Sequence, residues 1–167
     1  MIIKISNLVE GEHAISFDES IKKIELEEPF FGNFHSDIVL NKLHDQIIVE
    51  AHTTVNAKFD CDRCGTEFTA ILTNDYRMVY LMNESPVDSE AINIAYLPRD
   101  AATIDLKSDL REFAILSIPM KKLCNPECKG FCYKCGGDLN NGECTCTEPE
   151  IDPRWQKLID LKNNIKQ

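Results

Sequence analysis

Eight cysteines stand in four close pairs: Cys61 with Cys64, Cys124 with Cys128, Cys132 with Cys135, and Cys144 with Cys146. All but the first pair fall in the run LCNPECKGFCYKCGGDLNNGECTC, from Leu123 to Cys146. Two stretches share one local design, Cys61-Asp62-Arg63-Cys64-Gly65 and Cys132-Tyr133-Lys134-Cys135-Gly136. In a Cys-x2-Cys turn both sulfurs can face a single ion, and the glycine that follows permits a tight reversal at positive φ. Eight thiolates make two tetrahedral sites of four sulfurs, a donor set that suits Zn2+.

Two partitions of the pairs are open. The closer in sequence joins Cys132 and Cys135 to Cys144 and Cys146 across the turn-rich GGDLNNGE, where closing a short loop loses little chain entropy. Cys61 and Cys64 would then meet Cys124 and Cys128, stapling the C-terminal segment to the region around residue 60. The competing partition joins the two Cys-x2-Cys-Gly knuckles into a zinc ribbon and leaves Cys124, Cys128, Cys144 and Cys146 for the second ion. Loop length favours the first. Lys121, Lys122, Lys129, Lys134 and Arg63 lie among the ligands. They can compensate thiolate charge, and the four lysines are also candidate contacts to RNA phosphate.

Catalytic readings fit less well. Cys128-x3-Cys132-x2-Cys135 has the spacing of a radical iron–sulfur motif, but Lys134 replaces the usual aromatic residue and no alternating strand–helix pattern surrounds it. A thioredoxin-like site would place Cys-x2-Cys at the start of a helix, whereas Cys61 and Cys64 fall between strand patterns. There is no HExxH and no phosphate-cradling glycine loop, and His13, His35, His44 and His52 are scattered singly. His52, between polar Glu50 and Thr54, is expected at the surface. No catalytic residue is assigned, and the expected class is a non-enzymatic metal protein that binds a partner.

The elements that must hold these cysteines are legible in part. In QIIVEAHTTVNAKF, residues 46–59, Ile47, Val49, Ala51, Val55, Ala57 and Phe59 alternate with polar residues, which predicts a long strand with one buried face. Beyond the first knuckle, Phe68, Ala70, Leu72, Tyr76, Met78 and Tyr80 repeat the pattern. The two strands should pair antiparallel across the cysteine turn. Shorter strands are predicted at Ile2–Ile5, Ile21–Leu26, Phe34–Leu40 and Ala91–Leu97. Asn83–Ser89 reads as a polar loop. From Asp105 the period changes: Leu106, Leu110, Phe113, Ala114 and Ser117 form a helical stripe, with Asp105 as N-cap and Pro119 ending the run. A terminal helix is predicted from Asp152 as N-cap and Pro153 at the first position, with Trp155, Leu158, Ile159 and Leu161 as a core or docking stripe.

The expected fold is therefore α+β: a mainly antiparallel curled sheet or small β-barrel, one packed helix over 105–118, a C-terminal zinc-binding segment and a terminal helix. The expected division is an acidic β-rich domain, 1–118, and a Cys-rich part, 119–167, stapled to it. A chain of 167 residues can bury an ordinary core without disulfides, and no apolar run reaches the roughly 20 residues of a membrane span. The start MIIKISNLVEGEHAISF lacks an export pattern, so the expected compartment is the cytoplasm, where thiols stay reduced. The net charge of −10 is uneven: residues 1–110 hold 9 Lys/Arg against 20 Asp/Glu, and residues 111–167 hold 9 against 8. The acidic part repels phosphate and suits a basic protein, so any RNA contact is expected in the C-terminal third.

CKGFCYKCGGDLNNGECTC, followed by DPRWQKLIDL and preceded by CDRCG and LREFAILSIPMKKLC, closely resembles the YceD family, the large ribosomal RNA subunit accumulation proteins of bacteria and plastids. The resemblance spans roughly residues 45–165; it departs at Tyr133, where many relatives have Pro, and at Phe131, where Leu is usual. It implies a non-enzymatic factor needed for accumulation of large-subunit (23S) ribosomal RNA, acting in ribosome assembly. The implied partners are a large-subunit precursor, a basic ribosomal protein or the rRNA itself, with no membrane and no small-molecule substrate. The alternative class is a redox-sensing or zinc-handling protein with labile cysteines.

Overall fold

The structure, a computed structural model, describes residues 1–82, 93–146 and 153–165. Five strands form one sheet in the order β2-β3-β4-β5-β6: β2 Gly11–Ser20, β3 Phe30–Lys42, β4 Gln46–Asp60, β5 Glu67–Leu81 and β6 Ile94–Tyr96. β1, Ile2–Lys4, pairs antiparallel with β7, Thr103–Asp105, and α1 follows at Lys107–Leu116. β2 to β5 pair antiparallel in sequence order, while β6 runs parallel to β5 over Val79–Leu81 only.

The long hairpin is the predicted one. β4 and β5 pair without interruption from Gln46↔Leu81 to Asp60↔Glu67, and strict alternation puts Ile47, Val49, Ala51, Val55, Ala57 and Phe59 on the buried face. Ser36 and Thr53, opposite one another, are buried on the same face and satisfy each other by a 2.8 Å hydrogen bond. Ile24, Leu106, Leu110 and Ala114 cover that face, and Phe113 stacks on Tyr76 with ring centroids 4.2 Å apart. Such stacked rings add to the area term that holds helix to sheet.

Two expectations need correction, and one strand was not anticipated. The sheet is open and mixed, not a barrel: β2 lies at one end, three-residue β6 at the other, and the two do not pair. Ile21–Leu26 is not a strand. Its buried residues fall at 21, 24 and 26, a spacing that a 3-10 turn over Ile21–Ile24 satisfies, with Ser20 Oγ accepting the Lys22 N–H and Glu25 left-handed at φ 54°. The neighbouring strand β2 escaped prediction because its inward positions include His13 and Glu19 beside Ile15 and Phe17, which blurs the alternation.

α1 is two residues shorter at each end than the predicted 105–118. Asp105 ends β7 instead of standing at the cap position, yet it still caps: its Oδ1 accepts the Lys107 N–H at 3.0 Å and the chain's amino terminus at 2.7 Å. The terminal helix α2, Gln156–Ile165, begins after a 3-10 turn at Pro153–Trp155, while Asp152, Asn83–Ser89 and Ala91–Ile92 lie outside the described residues. Trp155, Leu158 and Leu161 are exposed. No described helix is long and apolar enough to cross a membrane.

Under α1, the Tyr80 hydroxyl donates to the half-buried Asp109 carboxylate. Burial raises the Asp109 carboxyl above its ordinary value, with Glu112 and Asp105 adding to the shift and the Tyr80 bond opposing it. The folded chain thus holds that proton more tightly than the unfolded one. The resulting stability is present below the ordinary carboxyl value and is lost as pH rises through the raised one. Asp109→Asn, which keeps an oxygen for Tyr80, is expected to flatten the fall in melting temperature between acidic and neutral pH, as thermal melts across that window would show.

Candidate metal centres

The β4–β5 hairpin carries the first knuckle at its tip. Cys61 N–H donates to Thr66 C=O at 3.0 Å, and Gly65, at φ 64°, returns its N–H to Cys61 C=O at 2.8 Å. That tight loop turns Cys61 and Cys64 to one side, where Cys124 and Cys128 arrive from the chain beyond α1. The four sulfurs lie within 4.8 Å of one another. Cys64 and Cys124 sulfurs are 3.6 Å apart, and those of Cys61 and Cys128 are 3.8 Å apart. A sulfur tetrahedron with metal bonds of about 2.3 Å has edges of about 3.8 Å, whereas a disulfide would need about 2.05 Å. The donor set and spacing fit a zinc-sized ion.

Backbone closes this centre. Asp62 N–H donates to Lys122 C=O at 2.8 Å, and Lys122 N–H returns a bond to Asp62 Oδ2 at 2.6 Å. Arg63 Nη1 reaches the Cys128 carbonyl at 2.5 Å. Cys61, Cys64 and Cys128 are buried, and only Cys124 is exposed.

The second group is Cys132, Cys135, Cys144 and Cys146, again with sulfurs within 4.8 Å. The second knuckle repeats the first: Gly136, at φ 70°, donates to Cys132 C=O at 2.8 Å, and Cys132 N–H donates to Gly137 C=O at 2.8 Å. Here only Cys132 is buried; Cys135 is exposed and Cys144 and Cys146 are half-buried. Of the two partitions open in the sequence, the one with short loops is the one that forms, and the two knuckles do not share a centre.

The two groups touch through residues the sequence did not single out. Asn140, in the loop of the second group, donates from Nδ2 to Cys128 Sγ at 3.5 Å and accepts the Lys129 N–H at 2.8 Å. Gly130 runs so close to the first knuckle that a Cβ there would sit 2.8 Å from the Arg63 carbonyl oxygen, and its φ of +73° also excludes most side chains. Asn140 belongs to a stretch readable as a turn, but its partner lies in the other group, which no local pattern reveals. Gly130→Ala is expected to cost about 1–3 kcal/mol through backbone strain and displacement of the Arg63 backbone in the first knuckle. Thermal melts and metal-release rates measured together would check it.

In the metal-free thiol state the groups are electrostatically uneven. The Cys61 thiol is drawn down to about 6, chiefly by the Cys124 backbone N–H, with Arg63 and Cys64 N–H groups adding. Cys132 is drawn to about 6 by the Cys135 and Lys134 backbone N–H groups. Cys64 is lowered mainly by the Thr66 hydroxyl, 3.4 Å from its sulfur. Cys124 and Cys146 are pushed up to about 12, chiefly by their side-chain hydrogen bonds with Cys64 and with Cys135 respectively. The first cysteine of each knuckle is thus the thiolate that N–H dipoles already stabilise, the arrangement a bound cation needs.

The candidate RNA-contact lysines neighbour the cysteines along the chain. Lys121, Lys129 and Lys134 are exposed, while half-buried Lys122 places its ammonium 5.6 Å from the Phe59 ring centroid. His52 is at the surface as expected, with Nδ1 2.6 Å from Asp75. No other group of metal-ligating side chains converges among the described residues.

A family model described as Large ribosomal RNA subunit accumulation protein YceD matches residues 49–162, which includes all eight cysteines. The Arabidopsis thaliana protein named Large ribosomal RNA subunit accumulation protein YCED homolog 1, chloroplastic, is 32% identical over 135 residues, covering 64% of this chain and 41% of the relative. Its namesake in Zea mays is 38% identical over 72 residues, covering 42% of this chain and 23% of the relative. An uncharacterized Mycobacterium tuberculosis protein is 37% identical over 59 residues, covering 35% of this chain and 28% of the relative. The chain thus spans less than half the length of each of these relatives. No solved structure matches the chain.

Proposed function

Because the chain belongs to the YceD family of large ribosomal RNA subunit accumulation proteins, we propose that it is a non-enzymatic, cytoplasmic factor of large ribosomal subunit assembly, needed for 23S rRNA accumulation and built around two structural Zn2+ ions. Cys61, Cys64, Cys124 and Cys128 would hold one ion; Cys132, Cys135, Cys144 and Cys146 would hold the other. The ions would supply cross-links, since each centre offers four thiolates and leaves no position for water.

The observation that carries this reading is the first cysteine group, which ties the tip of the sheet's longest hairpin to a segment 60 residues further along the chain. A clamp of that kind turns two parts into one rigid platform: an acidic β-rich part, 1–118, and a Cys-rich part, 119–167. The acidic part suits a basic ribosomal protein. The Cys-rich part carries Lys121, Lys122, Lys129 and Lys134 as candidate contacts to rRNA, though each zinc-thiolate centre adds a formal charge of about −2 beside them. Capture of the intact protein from cells should recover large-subunit precursors containing 23S rRNA together with basic ribosomal proteins. Recovery of neither would overturn the proposal.

A second reading, redox sensing or zinc handling, draws support from the second group, where Cys135 is exposed and Cys144 and Cys146 are half-buried. Thiol reactivity separates the two. Slow alkylation of all eight cysteines favours structural centres; rapid, reversible oxidation of Cys135, Cys144 and Cys146 with loss of one ion favours sensing.

A further inference from the structure

β2 ends the sheet, and among the described residues its outer edge pairs with no strand. Ten residues long, it offers a row of backbone donors and acceptors of the kind another chain can extend. We infer that this edge docks an extended segment of a partner protein in which Lys or Arg alternates with apolar residues. The surface deepens the reading above; it rests on that reading for the partner's identity only.

The two faces of the strand specify the occupant. On the inner face Ile15 and Phe17 pack against the core yet remain only half-buried at the sheet's unpaired edge. Alternate apolar side chains of an added strand would complete their cover. On the outer face stand exposed Glu12 and Asp18, with Ser16 between them hydrogen-bonded to Asp37 at 2.6 Å on the next strand. The outward face of β2 to β5 carries Glu12, Asp18, Asp37, Glu50, Asp60, Glu67 and Asp75 against Lys58 and Arg77 as its only lysine and arginine. Both cations are already engaged, Lys58 with Glu67 at 2.8 Å and Arg77 with Glu50 at 3.4 Å. His35 and His52 stand beside Asp37 and Asp75, but at the edge itself neither Glu12 nor Asp18 forms an ion pair among the described residues, Asp18 accepting only the Asn33 amide at 3.1 Å, so an arriving basic side chain meets these two carboxylates.

The same charges disfavour a second copy of this chain. Two β2 strands paired antiparallel with matched faces over residues 11–19 would set Glu12 opposite Asp18 at both ends, and like charges directly opposed destabilise a strand pair. RNA phosphate meets the same repulsion. The edge thus favours a basic strand over a second copy of itself.

The test uses the intact, zinc-loaded protein and a peptide of about ten residues alternating Lys and Val, long enough to span the edge. Controls are a Glu/Val peptide, a Lys/Pro peptide of equal charge that cannot donate ladder hydrogen bonds, and an RNA oligonucleotide. The Lys/Val peptide is expected to bind and to slow amide exchange within Gly11–Ser20, with the Lys/Pro and Glu/Val peptides weaker by about tenfold or more. The exposed double substitution Glu12→Lys/Asp18→Lys should weaken Lys/Val binding by a similar factor without lowering the melting temperature. Equal binding of Lys/Pro and Lys/Val, unchanged exchange in β2, preference for the RNA, or peptide-free dimerisation through β2 would each overturn the inference. Failure of the peptide arm while the wild-type protein still captures large-subunit precursors removes the edge and leaves the assembly reading standing. Peptide binding with no precursor captured does the reverse.

Discussion

Cys128→Ser is expected to leave the protein with one zinc ion instead of two and to release the chain beyond Leu123 from the hairpin tip. Cys128 is the most consequential ligand because three connections meet on it. Its sulfur lies 3.8 Å from that of Cys61 and accepts a bond from Asn140, and its carbonyl accepts from Arg63. A serine hydroxyl is a poor zinc ligand at neutral pH, and structural zinc in small sites is worth on the order of 10 kcal/mol of folding free energy. Losing one of four ligands should cost several kcal/mol, enough to melt the junction but not the sheet. Native mass spectrometry would give the stoichiometry, and hydrogen exchange would show lost protection at Asp62, Lys122 and Lys129. Retention of two ions, or unchanged protection at those amides, would contradict the assignment.

Phe34→Ala should do the opposite: weaken the sheet while sparing the second zinc centre. Phe34 is 1% exposed, sits opposite Val55 across β3 and β4, and is among the largest fully buried side chains in the core. Truncating such a residue leaves a cavity and costs about 3–5 kcal/mol, a large share of the stability of a domain this size. The second group needs only residues 132–146, joined by short loops, so it should keep its ion after the sheet has melted. A denaturant melt followed by tryptophan-independent far-ultraviolet signal and by a zinc-sensitive dye would separate the two events. Simultaneous loss of sheet and both ions would show that the second centre depends on the first.

What the sequence disclosed divides by range. The long β4–β5 hairpin was readable because its alternation is strict and both faces agree; the cysteine pairing was readable to a preferred partition because loop closure ranks the alternatives. The turn at Ile21–Ile24 misled because three buried apolar residues in six positions look like a strand until the third dimension fixes which of them point together. Closure into a barrel was not decidable from strand content: it depends on whether the two end strands meet, and β6 and β2 do not pair. Asn140 and Gly130 were invisible as site residues because each acts on the first cysteine group from a distant part of the chain. Local chemistry was legible, and the contacts between locally folded pieces were not.

Native mass spectrometry of the intact, freshly purified protein, repeated after chelation with hydrogen exchange followed over residues 119–146, tests the zinc clamp most directly. Two zinc ions per chain, and collapse of protection in that segment once they are removed, are the predicted result. A metal-free protein whose cysteine-rich segment is equally protected before and after chelator would contradict it.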